Sequence, residues 1–248
     1  MASLRFKFQD TLDEVSSFTE LAKKYTAPVS LGVLPRLRGE LEGYRNARTD
    51  RPFDWEISES DPLVTIAAKE YEPGGGGKRD IVAEITSKWR IKREPLGKIN
   101  QPARYFSLVG LASTRVRLKY PATDAAPEQE IAMWRMEVAD AQAPGCYFHA
   151  QILGQSDDPP FPKSIPIPRL PAIMMTPAAV AEFVLAELFQ DAWGPHIAGL
   201  APHLKRWTPI QGERLERLLK WKITQLKQTS GSPWSSLKAA KPPADLFG

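Results

Sequence analysis

Cysteine is almost absent from this chain. Cys146 is the only one in 248 residues, so no disulfide forms within the chain, and this usage fits a reducing compartment. Histidine is nearly as scarce. Cys146, His149, His196 and His203 are the whole Cys/His inventory, and four is the number that a tetrahedral zinc site takes. Their spacing opposes one. Cys146 and His149 are three apart in an expected strand and so point to opposite faces. His196 and His203 are seven apart, which is two turns and about 10 Å of helix. No metal or cofactor is expected. Long apolar runs are missing as well: the best stretch, Ala178 to Leu188, is interrupted by Glu182 and Glu187, well short of the ~18 residues a membrane helix needs. The first eight residues have no apolar core of the kind a secretory leader carries. The expected address is therefore the cytoplasm, with no membrane partner. Two catalytic signatures are also lacking. There is no Gly-x-Ser-x-Gly elbow. The run Gly74 to Gly77 is followed by Lys78-Arg79-Asp80 and a strand pattern, where a phosphate loop needs a helix N-terminus.

What is present describes a globular chain with a core. Hydrophobic residues make up 42% and charged residues 25%, an ordinary balance for a domain that buries an interior. Leu4, Phe6 and Phe8 alternate as a short strand does. Thr11-Leu12-Asp13-Glu14 reads as a capping box, followed by Leu12, Val15, Phe18, Leu21, Ala22 and Tyr25 on one helical stripe. Pro35 to Arg48 reads as a second, more polar helix. Strands are expected from Leu63 to Glu72, from Ile81 to Lys92, through Val116, Leu118 and Tyr120, from Ile131 to Val138 and from Cys146 to Leu153. Short connections, such as 140–145, favour antiparallel neighbours.

The character changes after Gln155, where prolines crowd the sequence and exclude regular structure. Thr176-Pro177 supplies an N-cap and a first-turn proline for a helix whose inner face holds Val180, Phe183, Val184, Leu188 and Trp193, stopped by Gly194-Pro195. Thr208-Pro209-Ile210-Gln211 reads as another capping box that opens a last helix with Leu215, Leu218, Leu219, Ile223 and Leu226 as its apolar stripe. Trp234, Leu237, Leu246 and Phe247 are spaced along an extended tail as docking anchors. The expected fold is α+β: an N-terminal helix, an antiparallel β-meander of about five strands, a Pro-rich strap and C-terminal helices. The corresponding regions are 1–155 for the sheet, 156–176 for the strap, 177–229 for the helices packed on the sheet, and 230–248 for the tail.

Charge is segregated along the chain. From Lys78 to Lys119 eleven basic residues stand against three acidic ones, and from Pro195 to Gly248 nine stand against three, within a net charge of +4. Lys88, Arg90 and Lys92 share one strand face, and Arg115, Arg117 and Lys119 share another. If the strands are neighbours, six cations line one surface. Sheets avoid like charges directly opposite one another, so a uniform basic face points to an anionic ligand, foremost a phosphate backbone. The alternative is a solvent face whose cations pair with Glu84, Glu94 or Glu137. Trp89 and Tyr120 fall on the opposite face, so no base-stacking platform is indicated.

Three further constellations bear on chemistry. Asp80, Glu84 and Lys88 share a strand face, as metal-dependent nuclease residues would, yet Thr86 stands where such a site sets its second acid. Cys146 with His149 is a nucleophile and base pair only if a bulge brings them to one face; otherwise Cys146 is a small core residue. Tyr147, His149 and Gln151 alternate on one face beside the strap, where His149 is either a general acid/base or a hydrogen-bonded core histidine.

The order of helix, meander, strap and helices is similar to that of the ubiquitin-conjugating and RWD-like α+β fold, over about two-thirds of the chain by element order alone. In such enzymes the catalytic cysteine follows the strap, and here no cysteine follows Cys146. The likeness therefore implies a binding module without transferase activity. The resulting expectation is a non-catalytic binding or scaffolding protein, a subunit of a larger intracellular assembly. It would contact nucleic acid or an acidic protein partner through Lys88, Arg90, Lys92, Arg115, Arg117 and Lys119. The competing expectation is a nuclease or other hydrolase at Asp80, Glu84 and Lys88, or at Cys146 and His149.

Overall fold

The computed structural model describes residues 3–49, 51–69, 80–94, 102–139, 146–153, 170–173, 176–228 and 230–248. The chain is α+β, with one large antiparallel sheet and helices at both ends of the sequence. It opens with strand β1 (Arg5–Lys7) and helix α1 (Phe8–Ala22), then passes through two 3-10 turns to α2 (Val33–Asn46). Strands β2 (Phe53–Ile57), β3 (Leu63–Val64), β4 (Val82–Arg93), β5 (Tyr105–Tyr120), β6 (Gln129–Val138), β7 (Phe148–Leu153) and β8 (Leu170–Pro171) follow. The chain ends in α3 (Pro177–Leu188), α4 (Gln190–Gly199), α5 (Ala201–Gln228) and α6 (Pro233–Ala239). The sheet runs β2-β4-β5-β6-β7-β8, with β1 added to β5 and β3 to β4.

Alternation places Trp55, Ile57, Ala83, Ile85, Trp89, Ile91, Ala112, Val116, Val138 and Phe148 on the inner face, where they join the helices in one core. β1 is short but central to that core. Phe6 stacks on Phe106 and meets Trp89, and Phe8 meets Phe106 and Tyr44. Trp55 buries its ring and donates its indole N–H to the Leu37 carbonyl, tying α2 to the sheet. β5 bulges against β4, since Trp89 pairs with Ala112 while Ile91 pairs with Leu108. Gly110, within that bulge, has φ 87, a conformation that only glycine adopts without strain.

Several local expectations are corrected. The α1 stripe of Leu12, Val15, Phe18, Leu21, Ala22 and Tyr25 is buried, but the helix begins at Phe8. Thr11 therefore lies inside it and donates to the Lys7 carbonyl rather than capping. α3 starts as expected, with the Thr176 hydroxyl accepting from the Ala179 N–H and Pro177 in the first turn. Its end comes earlier, at Leu188, and Pro195 lies within α4 instead of terminating α3. Phe183 points outward. α5 begins at Ala201 and runs through Pro209, so the box at Thr208 is not a start. Each of these prolines removes one intrahelical donor without breaking the helix.

The tail is not simply extended, because it forms α6. Its last residues dock. Phe247 is buried between Phe6 and Phe148, the Arg5 N–H donates to the Ala244 carbonyl, and Arg217 holds the Gly248 carbonyl at 2.8 Å. Trp234, expected as an anchor, is 73% exposed. Most of the expected strap (156–169 and 174–175) lies outside the described residues, as do 70–72 of the expected strand, the glycine run 74–77 and the connection 140–145. What is described of the strap agrees with an edge position: among the described residues Leu170–Pro171 pairs with β7 alone, where proline's missing N–H costs the ladder nothing. Among the described residues no helix is long and apolar enough to cross a membrane.

Candidate functional site

The outer face of the sheet carries the candidate residues. In the β4–β5 register Glu84 faces Arg117, Thr86 faces Arg115, Lys88 faces Ser113 and Lys92 faces Ser107. Facing residues point to one side, so Lys88, Arg90, Lys92, Arg115, Arg117 and Lys119 do share a surface. They do not stand opposite one another. The register slides the two triplets to opposite ends of the strand pair, which avoids setting like charges side by side.

The ends differ in electrostatics. Arg115 pairs with Glu59 at 2.7 Å, Arg117 with Glu84 at 3.0 Å and Glu130 at 3.5 Å, and Lys119 with Glu84 at 2.5 Å and Glu128 at 2.9 Å. Burial alone would lower the Lys119 pKa, but the hydrogen bonds and charges of Glu84 and Glu128 outweigh it and hold the ammonium above its ordinary value. This end is internally neutralised. At the other end Lys88 and Arg90 share a single carboxylate, Asp54, each at 3.8 Å, with side chains 65% and 55% exposed. Lys92 is exposed and meets no carboxylate at ion-pair distance among the described residues. Contacts of this kind in open water are weak and exchangeable.

Between the ends lies a polar cleft of about 380 Å³, lined by Glu56, Glu59, Thr86, Lys88, Ser113, Arg115, Arg135 and Glu137. Its wall contains a buried ionic chain. The Glu137 carboxylate accepts from Ser113 at 3.3 Å and pairs with Arg135 at 3.5 Å, and its other oxygen lies 3.0 Å from His149 Nε2. His149 Nδ1 lies 2.9 Å from the Cys146 carbonyl. Burial pushes the Glu137 pKa up, but His149, Arg135 and Ser113 together bring it below the ordinary carboxylate value. Arg135 also donates to Gln151 at 2.9 Å. The polar alternation of β7 is thus met by β6: His149 and Gln151 bind Glu137 and Arg135 across the strand pair.

The residues of the hydrolase expectation are placed as follows. Asp80 is exposed just before β4, Glu84 is held by Arg117 and Lys119, and the Lys88 ammonium lies 3.8 Å from Asp54. His149 directs its ring nitrogens at the Cys146 carbonyl oxygen and at Glu137, not at the thiol. Cys146 itself is buried. His196 reaches the Leu21 carbonyl from α4, and His203 lies on α5, so the histidines do not converge with Cys146. Among the described residues no group of three or more His, Cys, Asp or Glu side chains is placed to hold a metal ion.

Two polar clusters escaped the sequence reading. One is the Glu137–His149 chain, hidden because only strand pairing brings residues 137 and 149 together. The other is Glu14, fully buried and bound by Thr176, by Gln211 at 2.7 Å and by Arg214 at 2.6 Å. Its signal was available: Glu14 falls in phase with Phe18, Leu21 and Tyr25, on the apolar side of α1. No family model, curated protein or solved structure matches the chain, so the likeness to the ubiquitin-conjugating fold rests on element order alone.

Proposed function

We propose that this protein is a non-catalytic binding subunit of a larger assembly and receives a polyanion, foremost a nucleic-acid backbone, on the outer face of its sheet. The observation that carries this reading is the asymmetry of the basic face. Lys88 and Arg90 share Asp54 at 3.8 Å, with Glu56 opposite Lys88 in the β2–β4 register, and Lys92 meets no carboxylate at ion-pair distance among the described residues, while Arg115, Arg117 and Lys119 are engaged by Glu59, Glu84, Glu128 and Glu130. The exposed triplet makes first contact, and the paired triplet frames its border. Three positions spaced by two residues along a strand span about 13 Å, so they follow a backbone of successive phosphates rather than one small anion. An acidic protein segment offers the same chemistry with wider charge spacing.

Salt dependence tests this reading and counts the contacts. Each phosphate contact contributes about −0.9 to the slope of log affinity against log salt on duplex DNA. Three contacts give a slope of about −2.7, a loss of roughly 40-fold between 50 and 200 mM salt, whereas six give about −5.4. The expected result is the shallower slope, with Lys88→Glu, Arg90→Glu and Lys92→Glu together removing binding. No binding at low salt, or a slope near zero, eliminates nucleic acid as the ligand.

A further inference from the structure

Helix α5 has two apolar faces. Trp207 and Leu218 are buried against the body of the protein, with Trp221 packed beside them. The second face carries most of the apolar stripe read from the sequence, and its Leu215, Leu219, Ile223 and Leu226 are 38%, 46%, 50% and 38% exposed. At 100° per residue these four side chains fall within about 80° of the helix circumference. They form a continuous stripe rather than the isolated apolar residues that are normal on a surface.

The order of the stripe is self-complementary. Reversing the helix about a point between Lys220 and Trp221 carries Leu215 onto Leu226 and Leu219 to within one residue of Ile223. From Glu213 onward the exposed charges along its open flank reverse in the same way: Glu213 and Glu216 come first, Lys220 and Lys227 after. An antiparallel copy sets the acidic part of this segment beside the basic part of the same segment in the other helix. A parallel copy sets acid against acid and base against base. The opposite flank belongs to the protein itself, since Gln211 binds Glu14 and the Lys222 ammonium donates to the Ala172 carbonyl.

We propose that this stripe is an isologous interface, on which α5 of a second copy of the chain packs antiparallel through Leu215, Leu219, Ile223 and Leu226. A two-fold axis passes near Lys220, as the self-complementarity requires. Within one chain Glu213 pairs with Arg217 at 2.6 Å and Glu216 with Lys220 at 2.5 Å. These pairs are solvent-exposed, so their exchange for contacts with the second copy costs little. One stripe per subunit is a small interface, and association in the micromolar range is expected. The proposal does not depend on polyanion binding, because α5 and β4 are separate elements with separate tests.

Sedimentation of the full chain over a wide concentration range tests it. The expected result is a reversible dimer. Leu219→Lys with Ile223→Lys should give a monomer at every concentration with unchanged circular dichroism and melting, since both side chains face solvent in the single chain. Orientation is read by cross-linking in a Cys146→Ala background. Leu215→Cys mixed with Leu226→Cys should form an intermolecular disulfide. Leu215→Cys alone should not, because antiparallel pairing separates the two copies of position 215 by roughly 16 Å along the axis, beyond the ~7 Å that a disulfide bridges. A monomer at all concentrations, a dimer that survives the double lysine variant, or efficient cross-linking of Leu215→Cys with itself would each overturn the proposal.

Discussion

Replacing Arg214 by Met should be one of the most damaging single changes in this protein that leaves packing volume intact. Glu14 is fully buried in α1. Its carboxylate is met by the Thr176 hydroxyl at the N-cap of α3 and, from α5, by Gln211 at 2.7 Å and by Arg214 at 2.6 Å. One anion therefore holds three helices together, and Arg214 is the cation that pairs with it. Met replaces the arginine stem but removes the guanidinium, which also lies 5.7 Å over the Phe6 ring, and leaves the carboxylate with two neutral donors. Breaking one side of a buried ion pair costs about 3–5 kcal/mol. Glu14→Gln should cost less, about 1–3 kcal/mol, because Arg214 retains some exposure and the amide oxygen still accepts. The double variant should then be milder than the sum of the two by about 1–3 kcal/mol, since each residue's cost arises from stranding the other. Urea denaturation followed by tryptophan fluorescence and by far-ultraviolet circular dichroism measures all four proteins. Trp207 lies on Phe18 of α1 at 5.3 Å between ring centroids and reports the α1–α5 contact. A loss below about 1 kcal/mol for Arg214→Met, or strict additivity in the cycle, would refute the clamp.

Two acids should shape the pH dependence in opposite senses. Glu137 titrates below its ordinary value when folded, so its stabilisation is complete above the unfolded value of about 4.3 and is lost as pH falls through the folded one; Glu137→Gln should flatten the acid side of the stability profile. Glu182 is raised, by burial first and by Glu14 in addition, against a hydrogen bond from Trp207. Its contribution is complete below the unfolded value and lost as pH rises through the folded one, so Glu182→Gln should raise the urea midpoint at pH 7 and gain little near pH 4. Phe247→Ala should free the tail. The change removes a buried ring worth about 3–5 kcal/mol at most, and trypsin should cut after Lys238 quickly in the variant and slowly in the parent; equal rates would mean that Phe247 does not hold the segment.

Periodicity made much of this architecture legible. The alternation of Ile81 to Ile91 identified the buried face of β4, the spacing of Leu12 to Tyr25 identified the buried side of α1, and Thr176-Pro177 marked where α3 begins. These signals are local, and each states which way a side chain points relative to its own backbone. They hold no information about register, because sliding a strand by two residues keeps every face and changes every partner. Register decided that Glu84 stands opposite Arg117 and within reach of Lys119, while Lys88 and Arg90 share Asp54 at the looser distance of 3.8 Å. Pairing of β6 with β7 likewise made Glu137 and His149 a buried couple. Helix ends were misread at Pro195 and Pro209, where the surrounding helix outweighs one missing N–H. The stripe from Leu215 to Leu226 has the period of a buried face and lies in solvent, because a helix can repeat apolar residues toward any neighbour, and only the packing of the whole chain decides which of its faces is covered.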